Sequence, residues 1–265
     1  MLGLKNNQFD ESIRNPPSDD SYPMVSVLFA DNGIGVNALS LTILDLVNQG
    51  QIRCDVDLDE PYEVGKKLTP QDMEVMKKIT LRIANKGELK TSETFAINLL
   101  KNMNKGKKFN LKAMAKLSNN SSIANKFEKD YNQYVKALKN ENEYDGENYR
   151  DILQNAKLTG KGKEIKNEWM NFQNYLISKN LCEKYPPESS EENSSQVLYG
   201  ACFDIEKEAL GIRENNTPLT DLIDKDGYKF LNIIFNNALL NVSKKPKGDG
   251  IFYGVNDKYT IPGGG

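Results

Sequence analysis

The 265-residue chain contains no histidine. That absence removes Ser-His-Asp triads, Cys-His nucleophile pairs and histidine-ligated zinc together, since each needs an imidazole. Cysteine is almost as scarce. Cys54, Cys182 and Cys202 lie far apart, form no C-x-x-C pair and are odd in number, which argues for reduced thiols and a cytosolic setting. Nowhere do about 18 apolar residues run together, so the sequence offers no membrane span. The first residues, MLGLKNNQFDESIRN, also lack the charged, apolar and small-residue order of a signal peptide. At about 150 residues per domain, the length allows about two domains. A mean hydropathy of -0.62 with 27% charged residues describes a polar, soluble chain.

What is present organises around Val36 to Leu58, where the hydrophobic period changes once. Leu39, Ile43, Leu46 and Val47 recur at helical steps, whereas Ile52, Cys54, Val56 and Leu58 alternate with Gln51, Arg53, Asp55 and Asp57. Gly50 stands where a glycine ends a helix. With a helix opened by Pro23 and a DNGIG turn ahead of it, the order is helix, turn, helix, strand, as in a small winged-helix unit.

The expected fold class is mainly α (α+β): winged-helix-like units with short β wings, followed by a helical C-terminal segment. Residues 1–22, polar and holding Pro16-Pro17, read as a leading linker. Residues 23–67 form the first winged-helix-like unit. Residues 68–145 form a second, with a basic face. Thr69 caps its first helix, with Pro70 in the first turn and Met73, Met76, Ile79 and Ile83 on one apolar face; Lys86-Gly87 ends it. Thr91 or Ser92 caps the next helix, Asn110 to Lys116 is a short one, and Ser121 or Ser122 caps a long amphipathic helix through Phe127, Tyr131, Tyr134 and Leu138. Residues 146–243 form the C-terminal helical segment. Its strongest helix, Lys163 to Leu181, carries Trp169 as a core anchor, and the YPPESSEENSS loop after it is solvated. Residues 244–265 form a disordered, glycine-containing tail.

The net charge of -2 is unevenly placed, because ten lysines between Lys101 and Lys139 face only Glu128 and Asp130. Lys105, Lys107, Lys108, Lys112 and Lys116 are the candidate contacts for nucleic acid or an anionic surface, with Phe109, Phe127, Tyr131 and Tyr134 as stacking groups. The bland alternative is a solvated face with those aromatics in the core. The helix over residues 39–49 makes a poor recognition helix, since Ser40, Thr42, Asp45, Asn48 and Gln49 offer a phosphate no positive charge. Asp55, Asp57 and Asp59 read as the wet side of a strand. Around Gly227 a calcium loop would need acids where Leu222 and Ile233 stand, and the Gly160 and Gly162 pair lacks the Walker A spacing. No cofactor, metal or catalytic constellation is nominated, so the chain is expected not to be an enzyme.

Three segments carry a family resemblance. Leu44, Asp45, Leu46, Val47, Asn48, Gln49 and Gly50 match an "lDLvnrGy" pattern that follows a proline-rich linker. Thr159, Gly160, Gly162, Trp169, Phe172, Tyr175 and Leu176 follow, and then the Tyr185 to Ser189 "yPPEs" loop; the glycine-rich end is the third. In this the chain resembles the cytosolic C-terminal part of the YciQ-like predicted membrane proteins, domain of unknown function 2207, most firmly over residues 16–58 and 157–210. The resemblance implies a soluble portion on the cytoplasmic face of the membrane, with membrane segments lying outside this sequence. The role expected is protein interaction or regulation with a partner that the sequence does not identify. Weak nucleic-acid binding through the lysine-rich stretch is the alternative.

Overall fold

The turn at Gly50 forms as its spacing predicts. A computed structural model describes residues 11–29, 36–58, 62, 64, 68–84, 87–104, 106–141, 150–151, 157–205, 209 and 227–242. The DNGIG turn, Lys105, Asp59, the residues following Glu141, the weak helix expected at TPLTDLID and the tail from 244 lie outside them. Helix α1 spans Tyr22–Phe29, α2 spans Val36–Asn48 and strand β1 spans Ile52–Val56. Gly50 takes a positive φ of 71°. Its N–H donates to Val47 O and that of Gln51 to Leu46 O, the paired bonds of a Schellman end.

The next segment departs from expectation. Helix α3, Pro70–Lys78, begins at the predicted Thr69 cap, which the structure completes into a capping box: the Thr69 hydroxyl accepts from the Asp72 N–H and the Asp72 carboxylate from the Thr69 N–H. It ends at Lys78, and the expected continuation through Ile83 is strand β2, Ile79–Ile83. Ile79 and Ile83 fit a helical step of four, but I-T-L-R-I also alternates and is β-branched, and pairing with neighbouring strands selects the second pattern. Helix α4, Thr91–Asn104, strand β3, Lys108–Asn110, α5, Leu111–Ser118, and α6, Ser121–Glu141, follow.

Strands β1, β2 and β3 form one antiparallel sheet in that order. The architecture is mainly α with a small sheet, the α+β class expected. The described strands are not joined as wing hairpins: α3 intervenes between β1 and β2, and α4 between β2 and β3. The sheet therefore pairs a strand from residues 23–67 with two from residues 68–145. Its inner face buries Ile52, Leu81, Ile79 and Phe109. A separate two-stranded pair, β4 (Arg150–Asp151) and β5 (Lys157–Leu158), precedes α7.

Helices α7 (Gly160–Leu176), α8 (Lys179–Lys184), α9 (Ser190–Cys202) and α10 (Gly227–Leu240) complete the described fold. Helix α9 starts at Ser190 inside the stretch expected to be a solvated loop. Ser189 caps it, and Glu191 and Glu192 in the first turn complement the helix dipole. The expected linker is also partly built in. Over Glu11–Arg14 it forms a 3-10 helix, Arg14 pairs with Glu188, and the Tyr199 hydroxyl donates to Asp20 O at 3.2 Å. Trp169 is fully buried as expected, packed on Phe172, Tyr199 and Phe203.

Helix α10 is buried nearly all round, its asparagines included, and packs against α2, α5 and α6. Phe235 stacks on Phe127, while Asn232 and Asn237 donate to Asn37 and to Ser118 and Asn119. The consequence for α2 is burial of ten of its 13 residues, with Asp45 half-buried and Asn48 exposed.

Candidate functional site

Of the candidate contact lysines, Lys107 and Lys108 lie at β3 and Lys112 and Lys116 one turn apart on α5, both close enough to act on Glu74. Lys107 and Lys108 are exposed at the start of β3, and Lys116 is exposed on α5. Lys112 reaches back to Glu74 of α3 at 2.5 Å, which helps hold the Glu74 carboxyl below the usual carboxylate range. Lys126 on α6 donates to Asn102 of α4. The interleaved aromatics Phe109, Phe127, Tyr131 and Tyr134 are buried, so they supply core and no stacking surface. Of the polar residues expected on the exposed side of α2 and its end, Asn48 and Gln49 are exposed, Asp45 is half-buried, and Ser40 and Thr42 are buried. Their hydroxyls are bonded inside, Ser40 to Val36 O and Thr42 to Ala38 O and the Tyr134 hydroxyl, the last at 2.7 Å.

Among the described residues, two further polar constellations bear on function. The first is a cleft of about 290 Å³ beside the N-terminus of α4, lined by Thr42, Asp45, Lys90, Ser92, Glu93 and Glu141 among others. Burial pushes the Asp45 carboxyl up to about 6, with Glu93 adding to the rise and Gln49 and Lys90 opposing it. The other two acids are engaged in holding α4. Glu93 accepts from the Lys90 N–H at 2.8 Å, and Glu141, at the end of α6, accepts from the Ser92 N–H at 2.7 Å and from its hydroxyl. Thr91 and Ser92 were expected to cap α4. A carboxylate from α6 does so instead, as anions favour a helix N-terminus. Likewise Asn120, and neither Ser121 nor Ser122, caps α6 by accepting from the Ser122 and Ile123 N–H groups. The acids of the cleft thus have structural duties.

The second constellation is the outer face of the sheet. Arg53, Arg82 and Lys108 are direct cross-strand partners on β1, β2 and β3, and all three are exposed. The next row holds Asp55, Thr80 and Asn110. Among the described residues none of the three cations forms an ion pair. Directly opposed like charges destabilise a sheet, so the row does not assist folding. Only Lys108 of this set was singled out from the sequence. Arg53 and Arg82 carried a usable signal, each being the charged residue between two apolar ones in an alternating strand. Asp55 and Asp57 are exposed, as the wet side of a strand requires. Among the described residues no group of three or more Cys, Asp or Glu is arranged to hold a metal ion.

The family model for the predicted membrane protein (DUF2207) C-terminal domain matches residues 10–157. This chain belongs to that family. The DUF2207 match runs unbroken through the region between 58 and 157, where the resemblance was thinnest, and stops short of the Trp169 and PPES segments on which it also rested. No curated protein and no solved structure matches the chain. The DUF2207 pattern around Asp45 now has a physical reading: Leu44, Leu46 and Val47 enter the core, Asp45 faces the cleft, Gln49 reaches Glu93, and Gly50 ends the helix. No helix among the described residues is long and apolar enough to cross a membrane.

Proposed function

We propose that this DUF2207 C-terminal domain is a non-enzymatic interaction module on the cytoplasmic side of a membrane protein, and that it meets an anionic partner through the outer face of β1–β2–β3. The observation that carries this reading is the row Arg53, Arg82 and Lys108, three exposed cations side by side without an ion-pair partner among the described residues. Such an arrangement is unfavourable in the isolated fold and becomes favourable only against negative charge. The cleft at Asp45 supports the non-enzymatic side of the reading. Glu93 and Glu141 are bonded to the start of α4, which leaves Asp45 without a second carboxylate available for acid–base work. Protein regulation through this face agrees with the same geometry if the partner is acidic.

The test is an amide NMR titration of the chain with long-chain polyphosphate. Shifts centred on Arg53, Arg82 and Lys108 support the proposal. Shifts centred on Lys116 and Lys126, or none at all, reject the sheet as the contact face. Turnover of phosphate or ester substrates, lost on Asp45→Asn, would overturn the non-enzymatic reading.

A further inference from the structure

The chemistry of the sheet face narrows its partner. The positions that point outward are Arg53, Asp55, Thr80, Arg82, Lys108 and Asn110, and none is aromatic. Proteins that hold single-stranded nucleic acid pair a basic groove with aromatic rings on which bases stack. Here the aromatics of the lysine-rich stretch are in the core. Duplex readers of the helical kind place a helix in the major groove, and α2, the helix at that place in a winged unit, carries no positive charge and has ten of its 13 residues buried. What is left is a short, open strip of positive charge. With cross-strand Cα distances of about 5 Å, the three cations span about 10 Å on one side of a three-stranded surface. Asp55 bounds the strip on the neighbouring row. A strip of this kind suits a layer of headgroups, which demands neither register nor base contacts.

The family supplies proximity. A domain belonging to a predicted membrane protein is held near a bilayer, and tethering turns a weak contact into an effectively intramolecular one. We infer that Arg53, Arg82 and Lys108 dock the sheet face on the anionic phospholipid headgroups of the membrane. This rests on the reading of that face given above and names its partner. Basic residues near an anionic leaflet act additively over a Debye length, so neutralising all three weakens partitioning on the order of 100-fold.

The experiment is co-sedimentation of the 265-residue chain with two kinds of vesicle, pure phosphatidylcholine and a mixture with about a third phosphatidylserine, at about 50 and about 200 mM salt. Labelled duplex DNA and single-stranded RNA are titrated in parallel. The expected result is binding to the anionic vesicles alone, weakened at the higher salt and lost in an Arg53→Gln, Arg82→Gln, Lys108→Gln variant whose circular dichroism matches the parent. A Lys126→Gln, Lys129→Gln variant, which removes two positive charges of the lysine-rich stretch from α6, retains binding. Absence of vesicle binding, or binding untouched by the sheet variant, overturns the inference. Binding to nucleic acid through the same three residues, without vesicle binding, overturns the lipid assignment while leaving the anionic-partner reading standing. If the chain also fails to bind nucleic acid and polyphosphate, both fall.

Discussion

Helix α2 and strand β1 are neighbours in the chain, both interleave polar with apolar residues, and they dispose of the polar ones in opposite ways. Of the 13 residues of α2, ten are buried, including Ser40 and Thr42. In β1, Arg53 and Asp55 are exposed while Ile52 is buried. A hydroxyl in a helix can return its hydrogen bond to the carbonyl one turn back, so Ser and Thr are tolerated inside. An arginine has five donors and a full charge to satisfy, and only the outer face of the sheet lets it keep its water. Polarity alone therefore does not locate a surface. The kind of polar group does.

The comparison is tested most severely inside α2. Leu44→Ala removes a fully buried side chain between α2 and its neighbours and is expected to cost about 3 kcal/mol in urea unfolding, within the usual range for such cavities. A loss comparable to a surface substitution would mean that α2 is not enclosed. Asp45 probes the one charge on this helix. Its carboxyl holds a proton more tightly when folded, so its contribution favours folding below about pH 4 and is lost as pH rises through about 6. Asp45→Asn is expected to raise stability by up to about 3 kcal/mol at pH 8 and to change it little at pH 4, read as the difference in unfolding midpoint between the two conditions. A pH-independent effect would remove the burial account.

Tyr134→Phe leaves the Thr42 hydroxyl with only its bond to Ala38 O, and a loss of about 1 kcal/mol is expected from chemical denaturation at neutral pH. The smallest effect belongs to the strand. Arg82→Thr relieves repulsion from Arg53 and Lys108 and places a β-branched residue in β2, so a gain of a few tenths of a kcal/mol is expected in thermal unfolding at low salt. A clear loss would show that the cations contribute to folding and would weaken the case for an external partner.

Much of the local structure was legible. The period change at Gly50, the Thr69 cap and the anchoring of Trp169 all rest on residues a few positions apart. What could not be read shares one feature, contact between residues distant in the chain. Strand β2 was read as helix because Ile79 and Ile83 satisfy both periods, and only pairing with β1 and β3 chooses between them. The cap of α4 comes from Glu141, 49 residues beyond Ser92. The described part of the lysine-rich stretch is distributed over α4, β3, α5 and α6, and the aromatics between its charges went to the core.

The sequence by itself determined where the chain turns, which residue types it could not use for catalysis, and which positions along each element are apolar, because these follow from single residues and their near neighbours. Only the tertiary structure decided that α10 would close over α2 and that Arg53, Arg82 and Lys108 would stand in one row. Burial around most of a helix, and a charge row across three strands, are properties of surfaces that meet after long stretches of chain have folded back, and no local period records which surfaces those will be.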